Sequence, residues 1–128
     1  MNVLIVALGA VIPVEAPEAD VLVVAPALNT RLRHWLSDED AARRRAEERA
    51  AAFVNWLERN GVQAEGRVGD ADPLQAIADA LTTFPADEIV VAAQPESSSR
   101  LADELVSRAS DRFALPIVHA GASFPRAA

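Results

Sequence analysis

The chain contains no cysteine and no lysine. The first absence excludes disulfides, thiolate nucleophiles and sulfur-held metals, and it fits a reducing cytoplasm. The second excludes a lysine-based phosphate loop and Schiff-base chemistry, both of which need an ε-ammonium. The 12 basic residues are therefore all arginine, and 19 acids outnumber them, for a formal charge of −7 at pH 7. Such an excess argues against general affinity for nucleic acid or for an anionic membrane surface. A long hydrophobic span is lacking too. The opening stretch MNVLIVALGAVIPVEAPEAD has a short apolar run, no positive charge before it, and acids with two prolines after it. It reads as a first strand, neither a signal peptide nor a membrane span.

What remains is enough for one domain with a well-buried core, 128 residues in all. Residues 1–120 are expected to form it, with 121–128 as a loose tail. Val3–Leu8 and Val21–Ala25 are apolar β-type runs. Pro13 and Pro17 stand between them, so the connection is expected to be extended, with its crossover helix missing. Ile89–Ala93 is continuous and apolar, as a central strand buried on both faces would be. Val62–Val68 alternates like an edge strand with one wet face. Leu115–Ala120 is the last strand, and Pro116 near its start suggests a sheet edge.

Three helices fall between these runs. The first is expected from about Asp38 to Asn60, with Ser37 and the following acids at its start. Ala42, Ala46, Ala50, Phe53 and Leu57 share one face, and Gly61 is placed to end it. Asp72 with Pro73 opens a second helix, whose buried stripe is expected at Leu74, Ile77, Ala78 and Leu81. The third runs from about Ser99 to Phe113 and is expected to bury Leu101, Leu105, Ala109 and Phe113. Five strands alternating with helices imply a parallel α/β sheet with right-handed crossovers.

Three segments, in order, carry a resemblance. They are Gly69-Asp70 before a capped helix with Ile77, then Ala86-Asp87-Glu88-Ile89-Val90-Val91, then Arg112-Phe113-Ala114-Leu115-Pro116-Ile117-Val118. Together they resemble the universal stress protein family over roughly Val21 to Ala120. The stretch VLVVAPALN-RLRHW-SDED looks like an actinobacterial branch of it, generally of unassigned function. The resemblance implies a three-layer, Rossmann-like open sheet of five parallel strands in the order 3-2-1-4-5. It also implies frequent dimerisation through the last strand. ATP-binding members carry an acid after strand 1, where this chain has Leu8. They also carry a glycine-rich motif after strand 4, whose glycines let backbone amides approach phosphates. No glycine lies between Gly69 and Gly121, so that motif is absent and no ATP or AMP cofactor is expected. An approximate alignment puts Asp103-Glu104 where the family has its last Gly-Ser pair, and two acids there would repel phosphate.

Two clusters remain as candidate ligand sites. Arg31, Arg33, His34 and Trp35 follow strand 2 at the ligand-bearing edge of such a sheet. The arginines could clamp a phosphate or carboxylate while Trp35 stacks on a base. Equally, Trp35 could pack the loop and the arginines pair with Asp38, Glu39 or Asp40. Ser97, Ser98, Ser99 and Arg100 start the third helix, where free amides favour an anion. A plain serine cap and polar turn explains them as well. Asp70 and Asp72 read as helix-start residues. His34 and His119 lie far apart in sequence, no metal set is visible, and no nucleophile with its base can be assembled. The expectation is a non-enzymatic regulatory or interaction module, homodimeric and without ATP. Its rival is a sensor for a nucleotide or small anion using the two clusters. The dimer expectation draws on the missing helix, which would leave Val3, Ile5 and Leu22 uncovered.

Overall fold

The computed structural model describes residues 1–9, 11–14, 19–28, 39–93 and 99–120. Runs of Val, Ile, Leu and Ala take extended backbone and pair as β1 (Asn2–Ala7), β2 (Asp20–Pro26), β3 (Gln63–Gly69), β4 (Glu88–Ala92) and β5 (Ile117–Ala120). All four pairings are parallel, and the order across the sheet is β3-β2-β1-β4-β5. The expected Rossmann-like α/β architecture is therefore present. Parallel neighbours cannot be joined by tight turns, so the chain must cross a face between them. Three crossings carry a helix: α1 (Glu39–Arg59), α2 (Pro73–Thr83) and α3 (Ser99–Arg112).

The two-residue period of the strands sorts the core into two layers. Val3, Ile5, Ala7, Val21, Val23, Val90 and Ala92 face one way, and α1 packs there through Ala42, Ala46, Ala50, Phe53 and Leu57. Leu4, Val6, Leu22, Val24, Ile89 and Val91 face the other way, beneath Ala76, Ile77 and Ala80 of α2 and Ala102, Leu105 and Ala109 of α3. Two helical stripes thus differ from expectation. In α2, Ala76 and Ala80 are buried beside Ile77, while Leu74, Ala78 and Leu81 are only partly so. In α3, Leu101 is exposed and Ala102 takes its place, while Phe113 is partly buried. The α3 series, spaced strictly by four, drifts about 40° per step around a 3.6-residue helix and so leaves the buried face at Leu101.

The β1–β2 crossing is the unusual one. Its described residues, 8, 9, 11–14 and 19, carry no helix. Ile12 and Val14 are buried and the intervening Pro13 is exposed, so the segment itself lays alternate side chains on the sheet. The expected bare patch is therefore not found: Val3, Ile5 and Leu22 are 4%, 0% and 1% exposed. Val3 and Ile5 share a cluster with Ile12, Val14 and α1. Leu22 belongs to the opposite layer with Ala76 and Ile77 of α2.

Element ends follow from local chemistry. The Asp72 carboxylate accepts from the Leu74 N–H at 3.0 Å, and Pro73 occupies the first helical position. Asp70 accepts in turn from the Asp72 N–H at 2.9 Å. Both aspartates thus have the structural role read from sequence. Helix α1 ends with Gly61 at φ 83°. The Gly61 N–H bonds the Glu58 carbonyl and the Val62 N–H bonds the Leu57 carbonyl. That pair of bonds is a Schellman ending, with Val62 and Leu57 in the same apolar cluster.

Candidate functional site

In a parallel open sheet the carboxyl ends of all strands share one edge, and ligands bind in the crevice outside it. Here that edge is formed by Ala7, Pro26, Gly69, Ala92 and Ala120. Both sequence clusters are tethered to it. The chain leaves β2 through Ala27 and Leu28 and resumes at Glu39, the start of α1; it leaves β4 at Ala93 and resumes at Ser99, the start of α3. Ser99 is the first residue of α3, and Arg100 is exposed on its first turn. Arg31, Arg33, His34, Trp35, Ser97 and Ser98 lie outside the described residues.

A residue not singled out from sequence occupies this edge. Arg49, on α1, donates from Nε to the Ala7 carbonyl at 3.4 Å and from Nη2 to the Pro26 carbonyl. Its guanidinium thereby straddles the carboxyl ends of β1 and β2. Partial burial pushes the Arg49 pKa down, and the like charge of Arg45 pushes it further the same way. The signal was present in the spacing. Position 49 stands seven residues after Ala42 and three after Ala46, on the edge of the apolar stripe.

The second polar feature pairs α3 with β5. A carboxylate can only accept, so His119 Nδ1 carries the hydrogen and donates to Asp103 Oδ1 at 3.0 Å. The His119 side chain is 10% exposed and that of Asp103 is 75% exposed. The other ring nitrogen, Nε2, is buried and among the described residues has no hydrogen-bond partner. An imidazole held this way resembles the orienting half of a catalytic triad, but among the described residues no group stands at Nε2 for it to deprotonate. Asp103 is thus engaged in a local pairing with the last strand.

An open groove of 520 Å³ runs between α1 and β3, lined by Arg43, Glu47, Ala50, Val54, Gly66 and Arg67. It lies on the flank of the sheet, and its charges are mixed. Arg67 is also engaged elsewhere, donating to the Thr83 hydroxyl at 2.8 Å. Among the described residues, no three His, Asp or Glu side chains gather as metal ligands, and no helix is long and apolar enough to cross a membrane. Neither a protein-family model nor a curated protein matches the chain.

Proposed function

We propose that the protein is a non-enzymatic interaction module of universal-stress type, and that it binds a second copy of itself through the edge strand β5. The observation that carries this reading is the chemistry of that edge. Strand β5 is last in the sheet order, and among the described residues no strand pairs with its outer side. Its residues, Ile117, Val118, His119 and Ala120, include no acid, lysine or arginine, and Val118 is 44% exposed. Free edges offer a row of unpaired amides and carbonyls, and folds usually blunt them with charge. The opposite edge does so, because β3 carries Glu65 and Arg67. Leu101, 37% exposed, is a second apolar side chain, on α3, which packs on the other face of β5 from Val118. Dimerisation through the last strand is also what the family resemblance implies.

Sedimentation equilibrium across a concentration series tests the proposal. The wild-type chain is expected to self-associate, and Val118→Asp is expected to remain monomeric with an unchanged far-ultraviolet spectrum. A wild-type monomer at the highest concentration ends this reading.

A small-ligand sensor is the second reading, favoured by the attachment of both candidate segments to the carboxyl edge. It predicts that ATP, AMP or a cyclic nucleotide raises the melting temperature, since a ligand of the folded form alone stabilises it. Arg33→Ala should remove the rise. No rise with any of the three at millimolar concentration eliminates it.

A further inference from the structure

We infer that Arg49 and Arg45 form a subsite for the phosphate group of a small molecule, at the carboxyl ends of β1 and β2. The inference is independent of self-association through β5, which lies at one side of the sheet. It starts from a half-buried guanidinium with two of its five N–H groups committed, to the Ala7 and Pro26 carbonyls. Those two bonds fix the plane and position of the fork at the ligand-bearing edge. Among the described residues, the other three N–H groups have no partner.

Carbonyl dipoles orient a guanidinium without cancelling its charge, and a partly desolvated charge calls for an opposite one. Among the described residues no carboxylate lies within ion-pair distance of Arg49 or Arg45; the ion-pair geometry found there is that of His119 with Asp103. The charge that acts on Arg49 is instead the like charge of Arg45, four residues earlier on the same helix face. Arg45 is itself partly buried. Two cations are therefore neighbours on one helix face, close enough to interact, in a chain of net charge −7.

The charge count selects the ligand class. A phosphate monoester carries between about one and a half and two negative charges near neutral pH. It matches the arginine pair better than a single carboxylate does. A planar fork with free N–H groups also suits bidentate contact to phosphate oxygens. The glycine-rich cradle absent from the β4 loop supplies backbone amides; here side-chain guanidinium groups on α1 supply the donors, from the opposite face of the sheet.

The test is thermal unfolding of the full chain in potassium phosphate against potassium chloride at matched ionic strength, with inorganic phosphate as the probe. The wild type should melt at a temperature that rises with phosphate beyond the chloride control. Arg45→Gln leaves the Arg49 bonds to Ala7 and Pro26 in place, and should need about tenfold more phosphate for the same rise, the loss expected for one charge-assisted contact. Arg49→Lys keeps the charge, removes the fork, and should weaken the response similarly. If the wild type responds equally to both salts, the inference fails. It fails also if both variants respond to phosphate as the wild type does.

Discussion

Replacing Ile12 by alanine probes the least ordinary element of the fold, the extended segment that covers the sheet where a crossover helix would otherwise lie. Ile12 is 8% exposed and packs in the cluster of Val3, Ile5, Val90 and Phe53. The substitution removes three carbons from that layer. At about 0.8 kcal/mol per buried methylene, the transfer loss alone is about 2 kcal/mol. Incomplete collapse around the gap adds to this, giving about 2–3 kcal/mol, within the usual range for Ile→Ala. With a urea dependence of about 1.5–2 kcal/mol per molar for a domain of this size, the unfolding midpoint should fall by roughly 1.5 M at unchanged slope. The control is Val118→Ala in the same assay at low protein concentration. Val118 is 44% exposed, so its truncation should cost about 1 kcal/mol or less. Equal, small shifts for both variants would refute the claim that the 11–14 segment replaces a helix as the cover of this face.

Two further substitutions test local claims by the same urea midpoint. A β-carbon on Gly69 would stand 2.7 Å from Ala76 Cβ and 2.8 Å from Val24 Cγ2. Gly69→Ala should therefore force β3 and α2 apart and cost about 1–3 kcal/mol; a neutral effect would show that the approach is looser than these distances. Asp72→Ala removes the acceptor for the Leu74 N–H and should cost about 1 kcal/mol, whereas Asp72→Asn should cost much less.

Much of the architecture was legible because local chemistry was unambiguous. The continuous run Ile89–Ala93 gave a central strand, Asp72-Pro73 gave a helix start, and Gly61 gave a helix end with positive φ. The order of the strands came from a resemblance, since pairing is long-range and periodicity does not contain it. Three-dimensional facts are not carried by local sequence patterns. A missing helix was equated with a bare face, although alternate residues of an extended segment, Ile12 and Val14, can do the same work. Four-residue spacing puts Leu101 in line with Leu105 and Ala109, yet it is exposed, because such a series drifts off the helical face. The bond between Asp103 and His119 joins a helix to the following strand, and no spacing rule anticipates it. Of the candidate ligand residues, Ser99 and Arg100 are placed at the start of α3 and the other six fall outside the described residues. Arg49 was the avoidable omission, because its place beside Ala46 and Ala50 was already evident from helical spacing.

The size of the β5 surface sets the strength that its proposed self-association can have. Complete burial of a valine or leucine is worth about 1.5–3 kcal/mol. Covering the exposed fractions of Val118 and Leu101, 44% and 37%, thus gains about 1–2 kcal/mol per copy. Two copies gain about 3 kcal/mol. Strands of four residues paired in antiparallel fashion add about four hydrogen bonds, worth about 4 kcal/mol net. Against this total of about 7 kcal/mol stands a cost of at least about 4 for lost rigid-body freedom. The surplus is at most about 3 kcal/mol, which corresponds to a dissociation constant in the millimolar range or weaker. Association confined to this edge should therefore appear only in concentrated solution and vanish on dilution, with Val118→Asp abolishing it. A dimer that persists at nanomolar concentration would rule out β5 and Leu101 as its sole basis. It would require a larger surface, and Val118→Asp would then weaken the dimer without dissociating it.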